Sequence, residues 1–248
     1  QMKISMLQRL CVLASAIFAV AFAYLQATGA LGLSPAEFAN NGASTVRAAS
    51  YAFAIWGLIY AGLLIYSVYQ LVPAWANGDT LRHYSWPSVV SMLAIGAWLV
   101  AAGADWRWMT VALIILAAIV LIVPLTAAPK PAKARDTLLV VTPLALLAGW
   151  LTIASALNTV TVLTSEGFVA EDQATWCALG SVTAAVLVAL YVTIKSRQLA
   201  YPIPIVWGLA AVFVAEQTHR PPVAWFAVGA AMLLAIVAVW RALTPKPA

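Results

Sequence analysis

The sequence predicts an all-α fold: a polytopic membrane helix bundle of about eight transmembrane helices, both termini cytoplasmic. Three observations carry this. The 248 residues are 64% hydrophobic and only 8% charged, too little charge to cover a water-soluble domain of this size. Apolar runs of about 20 residues recur from end to end, each long enough to cross a hydrocarbon core of roughly 30 Å. The basic residues fall on alternate connections, as the positive-inside rule requires. A β-barrel would show short segments of alternating hydrophobicity, and the sequence has none.

The spans follow in order. The first covers roughly 8–29; it is long and lacks a small-residue cleavage site, so it reads as a retained helix, not a cleaved signal. "GLSPAEFANNG" is a polar connection to the second span, 50–72. "PAWANGD" leads to the third, 86–103, and "GADWRW" to the fourth, 108–126. "APKPAKARD", rich in Pro and charge, precedes the fifth, 138–163, and the acidic "TSEGFVAED" the sixth, 173–194. The seventh, 201–216, is the weakest. "THRPP" turns the chain and restarts a helix after proline for the eighth, 222–241.

Charge tests this map. With a cytoplasmic N-terminus the inner segments hold Lys3, Arg9, Arg82, Lys130, Lys133, Arg135, Lys195, Arg197, Arg241 and Lys246, and the outer ones only Arg47, Arg107 and Arg220. The net charge of +5 is therefore the bias of a membrane protein and does not point to nucleic acid. Cys11 and Cys177 fall near opposite faces, too far apart to bridge.

Four side-chain groups could carry chemistry. In "YAFAIWGLIYAGLLIYSVYQ", Phe53, Trp56, Tyr60 and Ser67 follow helical spacings and share one face. Aromatic walls with few polar groups suit helix packing or a flat apolar ligand such as a porphyrin, sterol or carotenoid. In the fifth span, Ala148, Thr152, Ser155 and Thr159 form a small stripe that admits a neighbouring helix. Trp150 and Asn158 lie about 12 Å apart along that helix and roughly 80° around it. An Asn in lipid needs a partner, so Asn158 is either interhelical glue or a ligand contact. The outer edge collects Arg47, Asp105, Arg107, Glu216, His219 and Arg220, which read as solvated loop charges or as a polar rim for an anionic ligand. Only two histidines occur, His83 and His219, on opposite predicted faces; this argues against a two-histidine metal site. No nucleophile elbow or phosphate loop is present.

These motifs carry a family resemblance. "FAIWGLIY" resembles the aromatic second-helix motif of the TspO/MBR family, the tryptophan-rich sensory proteins related to the translocator protein. "WLTIASALN", Trp150 to Asn158, is similar to that family's fifth-helix pattern, and "LAIGAW", ending at Trp98, to its third-helix region. The resemblance covers about residues 8–163. It implies a TspO/MBR-like five-helix bundle at 1–163, with 164–248 an additional three-helix membrane segment packed on the same bundle. It also implies a pocket for tetrapyrroles, sterols and related hydrophobic ligands formed by Trp56, Tyr60, Trp98, Trp150 and Asn158, and capped by residues 30–49.

The expectation is an integral membrane binding or sensory protein of the bacterial cytoplasmic membrane. Phe53, Trp56, Tyr60, Trp98, Trp150 and Asn158 would hold the ligand in the outer half of the bundle. The alternatives are a small membrane enzyme on a lipid or pigment, with Asp105 or Glu216 as acid or base, and a passive subunit of a membrane complex. No cofactor is required; a tetrapyrrole or lipid is the bound group the reading admits. The expected partners are membrane lipids, a hydrophobic small molecule and a second copy in a homodimer.

Overall fold

The computed structural model describes residues 4–40, 45–75, 78–131 and 133–244. Lys3, Lys246 and positions 41–44 of the expected cap lie outside the described residues. Among the described residues there is no strand. α1 spans Met6–Ala27 and starts at Ser5, whose hydroxyl accepts the Gln8 N–H at 3.2 Å. α2, Pro35–Asn40, sits in the first connection. A 3-10 turn, Ser50–Ala54, runs directly into α3, Ile55–Tyr69. α4 is Gly78–Gly103 and α5 Arg107–Ala127. α6 is a single turn, Ala134–Asp136, continued by a π turn, Thr137–Val141, into α7, Thr142–Ser165. α8 is Ala174–Ser196, α9 Pro202–Glu216 and α10 Pro221–Leu243.

The chain is a polytopic all-α membrane protein. Seven stretches are long and apolar enough to cross a bilayer, and α9 is a shorter apolar helix. Seven of the eight expected spans have helices of crossing length among the described residues, and the expected span 201–216 is the shorter α9. α4 starts at Gly78, ahead of the expected 86, because its first turns carry Asp79, Arg82 and His83. Those residues are helical but too polar for hydrocarbon, so hydropathy marks only the later part.

α4 packs on α1 and α5; α7 packs on α3, α5, α8 and α9; α10 packs on α8 and α9. Polar contacts pin the ends. On the side assigned as inner, Arg9 of α1 donates to the Gln70 carbonyl that ends α3, and Gln70 Nε2 returns a bond to the Arg9 carbonyl at 2.8 Å. Tyr69 at the end of α3 meets buried Asp136 at 2.8 Å. Arg197 caps the carbonyl of Arg241, at the end of α10, at 2.8 Å. Basic side chains thus cover the carbonyl ends of helices, where the dipole favours them.

α9 is the exception in depth. Its 15 residues span only about 22 Å, against roughly 30 Å of hydrocarbon. It joins the 23-residue α10 at the outer edge, so its first turn stops about 12 Å short of α10's inner end. Gly208 lies against Ile153 and Trp150, and Gly149 against Tyr201 and Pro204, so α9 runs parallel to α7 from the middle of that helix outward. A helix beginning inside the bundle must satisfy its first N–H groups. Pro202 and Pro204 remove two of them. Thr152 donates to the Ala148 carbonyl and accepts from the Tyr201 hydroxyl, both at 2.8 Å.

This junction requires Gly149. A Cβ there would lie 2.0 Å from the Tyr201 carbonyl oxygen, which is backbone and cannot turn away. Gly149→Ala is therefore expected to destabilise the protein by about 1–3 kcal/mol, read as a lower thermal midpoint in detergent. Gly180→Ala, with nothing within 4 Å, should be neutral or slightly stabilising because Ala is the better helix former. Equal midpoints for the two variants would disprove the close approach.

Candidate ligand cavity

α7 positions the site. It enters the bundle centre with Leu147, Ala148, Trp150, Leu151 and Ile153 all buried, leaving no lipid-facing side along this stretch. Trp150 then faces α3 and the 3-10 turn. Its ring meets Phe53 at 6.2 Å and Trp56 at 6.2 Å, with planes crossed at 78° and 80°. From the first connection, Phe38 of α2 lies edge-on to Trp98 of α4 at 5.9 Å and 82°. Edge-to-face rings are favourable pairs, but crossed planes do not fill space.

Between these rings lies a cavity of about 70 Å³. Phe53, Trp56, Trp98, Trp150 and Asn158 border it, with Ile95, Ile114, Leu157 and Thr161. Pro35, Phe38, Val46 and Ala48 of the first connection close its outer side. The cavity exceeds the roughly 10–15 Å³ that one water needs. It is far below the roughly 300–1,000 Å³ of ordinary ligand sites, so a drug-sized guest does not fit it in this conformation.

Five of the six expected ligand residues border the cavity. Tyr60 does not: it sits one turn further in and stacks on the hidden face of Trp56 at 5.2 Å and 21°. Asn158 donates to the Thr110 hydroxyl at 3.0 Å and so joins α7 to α5 while also facing the cavity. Trp98 is 8% exposed, and its Nε1–H has no hydrogen-bond partner.

Sequence reading missed two contributors. Phe38 lay in a stretch taken as a polar connection, although "SPAE" spells a capping box: Ser34 N–H donates to Glu37 at 2.7 Å and Glu37 N–H to Ser34 Oγ at 3.2 Å. The Ser34 hydroxyl and N–H hold the Glu37 carboxyl below its usual range. That support of α2 is present at neutral pH and is lost as pH falls through the lowered value. The other is Gly208, which brings α9 to the cavity wall. Beside it, Trp207 Nε1 donates to the Ala52 carbonyl at 3.0 Å.

Neither His219 nor the rim residues Arg47, Asp105, Arg107, Glu216 and Arg220 border the cavity. The rim residues form two separate clusters. Arg107 pairs with Asp105 at 3.2 Å and Glu166 at 3.4 Å, and reaches the Ser165 carbonyl at 3.1 Å. This ties the α4–α5 turn to the end of α7. Glu216, 1% exposed, accepts the Arg47 backbone N–H at 2.7 Å and lies 3.8 Å from Arg220. This fastens the end of the first connection to α9. Thr45 and Thr164 hydroxyls bond beside it.

The fold and site define a class: a polytopic helical membrane protein with a small aromatic cavity bordered by its first connection. A family model for TSPO-like proteins matches residues 9–240, and the chain belongs to that family. The match runs from α1 into α10. Comparison with curated proteins and with solved structures finds no match.

Glu216 gives a test of the cap's anchorage. Glu216→Ala strands the Arg47 N–H and the Arg220 guanidinium and should cost about 2–4 kcal/mol. Glu216→Gln keeps an acceptor for Arg47 and should cost less. Tryptic cleavage at Arg47 should accelerate at least several-fold in Glu216→Ala. Unchanged cleavage would show that the anchor is not needed.

Proposed function

We propose that this TSPO-like protein is a binding or sensory protein that holds a flat hydrophobic ligand in the outer half of its bundle. The observation that supports it is the cavity itself: tryptophans from α3, α4 and α7 surround a space left unfilled beneath a separate cap. Cores are normally packed to crystal-like density with few voids, and an aromatic-lined space with a few polar groups is the usual form of a small-molecule site. The cation-rich side would face the cytoplasm of a bacterial cell, and the ligand would arrive from the outer leaflet or the extracytoplasmic space. Catalysis has no comparable support. Asp105 and Glu216 are committed to arginines or to backbone, and neither borders the cavity.

The test is titration in lipid nanodiscs with a neutral porphyrin ester and a fluorescent sterol, followed by tryptophan quenching. Trp56→Leu and Trp150→Leu should each weaken binding of the preferred ligand by about fivefold or more, as expected for losing an aromatic contact and its buried area. Phe38→Ala should speed association by loosening the cap. Absence of quenching by either probe, with both tryptophan variants behaving like the parent, would overturn the proposal.

A further inference from the structure

We propose that a groove between the inner halves of α4 and α5 binds one anionic phospholipid of the inner leaflet, with an acyl chain along the groove and the phosphate at Arg82 and His83. The groove is separate from the aromatic cavity. It has a volume of about 640 Å³ and is lined by Trp86, Pro87 and Val90 of α4 and by Ile119, Val123 and Pro124 of α5. Its depth fits an acyl chain. Along α4 the lining runs from Val90 to His83, about 10 Å, and along α5 from Ile119 to Ala128, about 14 Å. One leaflet holds roughly 15 Å of hydrocarbon, so the groove extends from near the mid-plane to the inner interface. Trp86 stands toward that interface, 53% exposed, where indole rings settle at the level of the headgroups.

Charge marks the inner end. Arg82 lies four residues before Trp86, on the same face of α4 and one turn nearer the inner side. It is exposed and makes no ion pair among the described residues. His83 lines the groove beside it, and Lys130 follows two residues after Ala128. Among the described residues no Asp or Glu borders the groove. Of the two inner acids, Asp79 lies one turn before Arg82 without an ion pair to it, and Asp136 is buried against Tyr69. An anionic headgroup therefore meets net positive charge at this end, whereas a choline headgroup brings its own cation there. A second copy docked here about a two-fold axis would set Arg82 against its counterpart, because such an interface pairs each patch with itself.

Native mass spectrometry of the full-length protein in detergent, titrated with phosphatidylglycerol and with phosphatidylcholine of the same chains, reads the site. One phosphatidylglycerol should bind about fivefold tighter than phosphatidylcholine, the worth of one basic side chain near a membrane surface. Arg82→Gln should bring that ratio to about one. Val123→Trp, at a side chain 56% exposed, should weaken both lipids by filling the groove. Lys195→Gln, in the last turn of α8, should change neither. The parent's ratio decides the matter even if a variant misfolds. Equal binding of the two lipids, an unchanged ratio in Arg82→Gln, full lipid affinity in Val123→Trp, or an equal fall in Lys195→Gln would overturn the inference. So would displacement of the lipid by glycerol phosphate, the mark of a plain phosphate site, or a dimer that Val123→Trp breaks apart, the mark of a contact between copies.

Discussion

Hydrocarbon supplies no hydrogen-bond partner, and that constraint organises this fold. Full-length helices satisfy it along their length and need help only at their ends. α9 does not have full length, so its first turn falls where water cannot reach. The chain meets the problem with two prolines that delete donors, a Tyr201–Thr152 bond that occupies hydroxyls, and a glycine that lets two backbones touch. Each device fixes α9 against α7. The outer part of α9 is then held beside the first connection, where Glu216 receives the Arg47 N–H. The cap is therefore positioned by a helix that starts about halfway along its neighbour.

The same placement leaves the cavity open. Trp150 lies with its edge against Gly208 of α9, beside Ile153. It turns to Phe53 and Trp56, and the rings meet edge to face. Rigid planes near perpendicular leave a gap that leucines would have closed by changing rotamer. Phe38 closes the gap from outside with a second crossed pair. A six-residue helix held by a capping box is a light cover compared with the helices beneath it. Stiff walls under a light cover are what a site needs if it must admit a guest without unfolding.

Much of this was legible in the sequence, and the reasons for the rest are physical. The spans were legible because apolar length and proline breaks are local signals, and α7 at Thr142–Ser165 falls where 138–163 was expected. The start of α4 was not, because a helix can extend past the membrane while hydropathy cannot report it. Phe53, Trp56 and Trp150 were legible as aromatic faces. Tyr60 shared that face but backs Trp56, since a face of a helix is wider than the wall of a small cavity. Gly208 and Phe38 were hidden because the role of each depends on contacts with residues about sixty positions away. The depth of α9 was hidden too, since composition gives the length of a helix but not the height at which it begins.

The outer charges show how sorting by sign differs from sorting by partner. Sequence placed Arg47, Asp105, Arg107, Glu216 and Arg220 at one edge, and an edge rich in arginine invites an anionic guest. Geometry assigns each of them a different task. A guanidinium between two carboxylates, as Arg107 is, has little attraction left for a third. A carboxylate 1% exposed, as Glu216 is, is stable only because an N–H and a guanidinium are held against it. These pairs spend the edge's charge on joining helix ends. The cavity, which none of them borders, is lined by indole, amide, hydroxyl and aliphatic groups. The charge of this edge is therefore a means of assembly: it joins the α4–α5 turn to α7 and the first connection to α9.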